Sequence, residues 1–445
     1  MKKIVLSIAG VMAATAFAPE ASAIPSFARQ TGMACNACHQ QHYPILNGFG
    51  QAFKAAGYTM MGAQGKVEGE HLSLPDTLNA AILLKARYQK TNGPAATTTA
   101  ISGTGTNGGQ WQIPDEFSLF FGGRVAENIG FMMEGNMATG GPLAGLVAGF
   151  KMPVVFDMGA AKFSVIPFMT DALGVAYGYD ESSTGMVRGI RWMEHRNEIS
   201  AMQFVGNGAG AATGLAFVAK GDMGYINISR FAPDFAAAGG ATSPQLRSTF
   251  VRLAATPTMG DWAMHVGAAF TSGQTYTSNL AGGIVNPLVA SAATGALNLV
   301  DTKATSLDFQ AFGQVGGKDL GVYATWAKAP VVTAVVGGTL GNVYGGSTNT
   351  RSAWTIGADY SVIPHVLHLG AAYRNAETGN GALGVADKDN AFTLSAVYDL
   401  TQNVALHLNH SMYSGSAYAI GGSKNVLVAG NPGDQMTTFM LEAAF

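Results

Sequence analysis

The chain has 445 residues, is 48% hydrophobic but only 12% charged, contains 59 glycines and carries a formal net charge of −2. A near-neutral balance without a basic cluster argues against nucleic acid or an anionic membrane surface as partner. Beyond the N-terminal leader no uninterrupted apolar run reaches about 18 residues, which excludes a transmembrane helix, whereas apolar residues dispersed along the chain suit membrane-spanning strands.

The first residues read as an export signal over 1–23. Lys2 and Lys3 precede an apolar run from Ile4 to Phe17, and Ala21-Ser22-Ala23 forms a small-residue cleavage site. The mature chain is expected to begin near Ile24.

Cys35-Asn36-Ala37-Cys38-His39 contains both cysteines of the chain in the C-x-x-C-H pattern of covalent haem c attachment. Two thiols one turn apart can add to the two vinyl groups of a haem, and the adjacent imidazole of His39 then becomes the proximal ligand of the iron. A zinc site wants four ligands, and there is no second cysteine pair. A redox C-x-x-C comes with a thioredoxin-like strand and helix pattern, and none surrounds this one. Export supports the haem reading, because haem c is attached outside the cytoplasm.

Downstream, Ile45, Leu46, Phe49, Phe53 and Ala56 recur at helical spacing, with Pro44 suited to a first turn and Gly57 to a stop. They predict a short helix with its apolar side on the haem. A segment of about 50 residues, 24–75, is too small to wrap a porphyrin unaided, so another part of the chain must complete the pocket. The distal ligand is open: Met60 is preferred, with Met61 and His71 as alternatives. His42 leaves the ring on the same side as His39 and reads as a surface or supporting histidine.

From 76 to 445 period-two alternation dominates. Trp111, Ile113, Phe117, Leu119 and Phe121 alternate with Gln110, Gln112, Glu116 and Ser118, and the turn Ala126-Glu127-Asn128 leads into a second strand of matched pattern. Further tight turns are expected at 159–160, 196–197, 221–222, 260–261, 316–318, 363–365 and 401–403. They alternate with long Gly/Ser/Thr/Ala-rich connections, as in a barrel with short periplasmic turns and large outer loops. The expected fold is therefore an all-β transmembrane barrel of 16–18 antiparallel strands behind a small α-helical cytochrome segment. The larger tally falls to 16 if a hairpin around 143–170 is merged. By parity Lys85, Arg87, Glu116, Arg124, Glu134, Asp308, Asp359, His368 and Arg374 face inward as pore lining. The glycine-rich run 103–108 formally matches a dinucleotide fingerprint, but no helix pattern follows it.

A family resemblance rests on Ile24-Pro25-Ser26-Phe27-Ala28-Arg29-Gln30-Thr31-Gly32, the C-x-x-C-H, Pro44, Leu46-Asn47, Phe49-Gly50, Phe53-Lys54 and Gly57-Tyr58-Thr59-Met60. With the linker Glu68 to Pro75 and Ala86 to Asn92, these resemble the fused outer-membrane cytochrome-porins of iron-oxidising bacteria. The match covers roughly the first 90 residues and the overall architecture. It implies one covalent haem c held by Cys35, Cys38 and His39, with Met60 as distal ligand. It also implies oxidation of extracellular Fe(II) at the outer membrane, with a periplasmic c-type cytochrome as electron acceptor. Gln51 departs from the arginine expected there, removing a cation that could face a haem propionate. Two further expectations are a conduit for another donor or for reversed flow, and a diffusion porin in which the haem is structural.

Overall fold

The computed structural model describes residues 25–40, 45–93, 108–137, 147–180, 186, 200–234, 245–277, 298–331, 341–381, 387–422, 424, 426 and 433–445. The export segment, His42, Pro44, the turn expected at 196–197 and most of the glycine-rich run at 103–108 lie outside these residues.

Sixteen antiparallel strands close into a barrel. They run from Ala80–Thr91 and Gln110–Ala126 round to Val404–Ser414 and Gln435–Ala444, and the last pairs with the first through Phe439 opposite Tyr88 and Ala444 opposite Leu83. Three strands are interrupted and continue in line, Val147–Lys151 into Val154–Asp157, Ser248–Ala255 into Thr258–Met259, and Asn298–Asp301 into Ala304–Val315. Seven connections are tight, following residues 126, 157, 221, 259, 315, 363 and 401, and all seven match expected turns.

The tally of 18 is corrected to 16. The hairpin around 143–170 is retained, and the surplus comes from 171–211, where a turn at 196–197 would require two more strands. Strand Lys162–Thr170 pairs directly with Ala212–Gly221, Thr170 opposite Ala212, which leaves no place in the wall for them. The described parts of this connection fold into the lumen instead. There helix Ala201–Val205 is fixed by the Ala201 amide donating to Thr325 Oγ1, at 2.9 Å, midway along a wall strand.

Parity sorts the wall into two chemistries. Leu253, Ile356, Leu394 and Leu408 are exposed on the outside, a surface that only lipid can cover favourably. Aromatic residues gather outside near the long-loop end, where Tyr88 packs on Trp111 at 5.1 Å and Trp354 on Tyr373 at 5.5 Å between ring centres. The inner face is polar yet dry: Arg252, His368, Asn409 and Thr438 are each 1% exposed or less. In a water-filled barrel of this width such side chains would be wet. Here they are covered by chain and partnered: Arg252 pairs with Asp308 at 3.0 Å and Arg374 with Asp389 at 2.7 Å, and His368 is hydrogen-bonded to Asp399 at 2.9 Å. The residues that parity placed inward do face inward, but as buried or paired groups rather than open pore lining.

The lumen is filled from both ends. At the short-turn end stands the N-terminal segment, comprising α1 (Pro25–Thr31), α2 (Cys35–Cys38), α3 (Gly48–Ala55) and an exposed hairpin of β1 (Lys66–Gly69) and β2 (Leu72–Pro75). From the long-loop end come the described parts of the connection 171–211, residues 171–180, 186 and 200–211. The two fillers meet where Lys54 of α3 lies 3.6 Å from Asp180 and 4.3 Å over the Tyr179 ring. Asp180 also accepts from Tyr225 Oη at 2.6 Å and pairs with Arg252 of the wall, so one buried carboxylate joins both fillers to the barrel.

Helix α3 begins later than its apolar spacing suggests. Asn47 is the cap, accepting from the Gly50 amide at 2.9 Å, so Ile45 and Leu46 precede the helix. Ile45 packs on Phe312, Tyr323 and Ala372 of the wall, and Phe49 is left exposed. The stop at Gly57 is as expected, with φ +70°.

Candidate functional site

The N-terminal segment is fixed to the wall mainly through Gln30. Its side chain donates to the carbonyls of Tyr58 and Met60, at 2.7 Å each, and accepts from the Arg124 amide at 3.0 Å. Arg29 donates to the Ala80 carbonyl at 2.6 Å. Close approach does the rest: a Cβ on Gly130 of the wall would stand 1.8 Å from the Gly57 carbonyl oxygen, so only glycine lets the segment seat there.

Within the segment, Asn47 holds the cysteine helix in place. While its Oδ1 caps α3, its Nδ2 donates to the Ala37 carbonyl at 3.0 Å, and its amide donates to the Cys38 carbonyl at 3.0 Å. Gly50 permits this crossing, because a Cβ there would lie 2.1 Å from the Cys38 carbonyl oxygen. Cys35 and Cys38, three apart on one helical turn, share a face. Cys35 is buried, with Sγ 3.5 Å from the Gln402 carbonyl of a short turn, so the pair stands at the short-turn end.

Cys38 and His39 open into a cavity of about 440 Å³ between the segment and the wall. That volume is in the range of small-molecule and cofactor pockets, roughly 300–1,000 Å³. Leu46, Phe53, Phe120 and Met132 give it apolar sides, while Lys85, Glu116, Ser118, Glu134 and Glu442 give it a polar end. Asp171 and Leu173 of the connection that follows Thr170 also line it. Phe27 supports the apolar side by stacking on Tyr58 at 5.0 Å and meeting Phe53 edge-on at 5.3 Å.

These residues fit a covalently held haem. The Cys38 thiol and the following imidazole stand at a largely apolar cavity completed by the barrel, the partner that the short segment lacks, and the Cys35 thiol is buried beside them on the same turn. Burial pushes the Cys38 thiol up from its ordinary value. Reactive C-x-x-C pairs need the opposite shift. Lys54 and Lys85 also line the cavity, Lys54 beside Asp180 and Lys85 beside Glu116.

The expected site residues are thus brought together in part. Cys38 and His39 line the cavity, and Cys35 is buried on the same helical turn against the Gln402 carbonyl. Met60 does not line the cavity; it is 37% exposed at the segment's surface, its carbonyl held by Gln30. Met61 is also off the cavity, and His71 is exposed in the turn of the β1–β2 hairpin, 3.9 Å from Glu70. The thioether of the segment that does line the cavity is Met33, two residues before Cys35. Spacing alone gave no reason to prefer it, because the reach of Gly32 to Ala34 depends on how α1 docks.

Comparison with solved structures returns outer-membrane barrels. The chain is similar to OmpT of Vibrio cholerae at 11% identity, covering 86% of this chain and 99% of that one, with a TM-score of 0.46. It is similar to the channel DcaP of Acinetobacter baumannii at 12% identity, covering 83% and 97%, with a TM-score of 0.49. Against OmpF of Salmonella typhi in complex with daunomycin the identity is 12%, the coverage 86% and 100%, and the TM-score 0.45. No protein-family model and no curated protein matches the chain. With its closed antiparallel wall, apolar outside and polar inside, the chain is a porin-like barrel of the bacterial outer membrane.

Proposed function

We propose that this barrel carries single electrons across the outer membrane through one covalent haem c held by Cys35, Cys38 and His39 inside its closed lumen. The observation that carries the reading is the position of Cys38 and His39 on a cavity within a barrel whose inner polar face is buried. A hydrocarbon layer of about 30 Å blocks electron transfer, and a redox group within a protein wall relieves that block. When bound, the haem supplies a one-electron couple. The chain's own residues hold it, exclude lipid and bulk water, and set the charge around it.

Extracellular Fe(II) is the donor we propose, and a periplasmic c-type cytochrome the acceptor. Fe(II) gives up one electron, and oxidation at the cell surface leaves insoluble ferric product outside. On this reading the protein acts as an Fe(II):cytochrome c oxidoreductase. The N-terminal resemblance to fused cytochrome-porins supports this donor. Stopped-flow mixing of the purified, haem-loaded protein with Fe(II) is expected to reduce the haem bands at working pH. Bands that respond to dithionite but stay oxidised with Fe(II) would leave a conduit for another donor. A second reading, a diffusion porin with structural haem, is favoured by the porin-like wall itself and is separated by conductance.

For the distal ligand, Met60→Ala is expected to leave the methionine-to-iron charge-transfer band of the purified protein unchanged, and Met33→Ala to remove it. Loss of the band in Met60→Ala would instead restore Met60 as ligand.

A further inference from the structure

The polar end of the cavity has more carboxylates than cations, and two of them are arranged so that an added proton can be shared through one hydroxyl. Glu116 and Glu134 lie on adjacent wall strands, and the buried Ser118 hydroxyl lies within hydrogen-bonding distance of both, 3.2 Å from Glu116 Oε1 and 3.1 Å from Glu134 Oε1. A hydroxyl has a single hydrogen and can donate to one carboxylate. Its second contact becomes a hydrogen bond only when the other carboxyl carries a proton and donates to the serine oxygen.

The surrounding charges select which one. Lys85 Nζ is 2.6 Å from Glu116 and 3.7 Å from Glu442, so this ammonium stands nearest those two carboxylates. His407 stands 3.5 Å from the far oxygen of Glu442. Arg87 is engaged by Asp115 at 2.9 Å. Asp171, from the infolded connection, adds another carboxylate, and Lys54 is turned towards Asp180 on α3's side of the lumen. Of the cluster's acids, Glu134 and Asp171 have no cation within ion-pair distance among the described residues; Asp171 is exposed, whereas Glu134 is half-buried beside the Ser118 hydroxyl, so Glu134 is the one placed to take up a proton when the cavity gains negative charge. Its hydrogen bond through Ser118 to Glu116 forms a short relay along the cavity wall.

Building on the proposed haem, we infer that Glu134, Ser118 and Glu116 form a proton-binding site coupled to the electron. Entry of one electron from the external reductant lowers the charge of the cavity by one. One proton from water then binds the Glu134 carboxylate and restores it. When the electron leaves for the acceptor, the Glu134 O–H bond breaks and the proton returns to water. Nearby like charges and exclusion of water make the neutral carboxyl favourable in the reduced state.

The test is a potentiometric titration of the purified, haem-loaded protein across pH. The wild type is expected to show a midpoint potential that falls with rising pH over part of the range. The limiting slope is about 59 mV per pH unit, the one-electron equivalent of a tenfold change in proton activity. Glu134→Gln, which keeps the side-chain shape and can donate to Ser118, is expected to abolish that slope. Redox-difference infrared spectra should show a carboxylic-acid C=O band appearing on reduction in the wild type and missing from Glu134→Gln. A flat wild-type potential, or a slope and band that survive in Glu134→Gln, would overturn the coupling while leaving the conduit intact. Absence of covalent haem from the purified protein would instead remove the reading on which the coupling rests.

Discussion

A chain lacking residues 25–75 is expected to conduct ions at least about tenfold better than the full-length protein in planar bilayers. A barrel of sixteen strands is wide enough for an aqueous channel unless its interior is occupied. In the full chain the interior is occupied: inner-face arginines, asparagines and histidines are buried, and α1 to α3 sit against the wall through Arg29, Gln30 and Arg124. Truncation removes that filler together with Lys54, the contact that ties it to the infolded connection at Asp180. Residues 171–180 and 200–211 stay in the lumen, so conductance should remain below that of an unobstructed pore of the same width. Equal conductance in the full-length and truncated proteins would mean that the N-terminal segment does not close the lumen, and the diffusion-porin reading would take precedence.

The wall was the legible part of this protein, for a simple physical reason. Lipid on one side and polar chain on the other force opposite chemistries onto alternate residues. Trp354 and Ile356 against Thr355 and Asp359 therefore declare their faces through residue type alone. Tight turns were equally legible, because glycine or Asx pairs such as Gly260-Asp261 mark them. The connection 171–211 was not. An infolded stretch answers to no single period, since its side chains meet a curved polar wall in all directions, and its buried members Tyr177, Tyr179 and Met202 look in sequence like strand residues.

The candidate site was legible to the extent that its chemistry is local. Cys35, Cys38 and His39 lie within five residues, so the motif is visible without any fold. Met33, Lys54 and Glu442 became relevant only through docking of the segment against strands that include some hundreds of residues away. Glu116 and Glu134 were placed inward by parity, but parity could not reveal that one serine hydroxyl stands between them. The preference for Met60 came from its place after a helix, and the fold directs that position to the segment's surface instead.

Replacing Cys35 and Cys38 together by alanine should have the second large effect, complete loss of electron passage with the barrel retained. The cysteines lie in the N-terminal segment, and none of the sixteen wall strands contains them, so assembly and the outer-membrane fold should persist. Thioether attachment, by contrast, has no other thiol in the chain to use.

The decisive measurement places oxidised cytochrome c inside sealed liposomes that carry the protein in their wall and adds an impermeant reductant outside. Reduction of the enclosed cytochrome is expected with the full-length protein and not with Cys35→Ala/Cys38→Ala. Reduction at the same rate with both proteins, or with neither, would contradict a haem-borne current through this barrel.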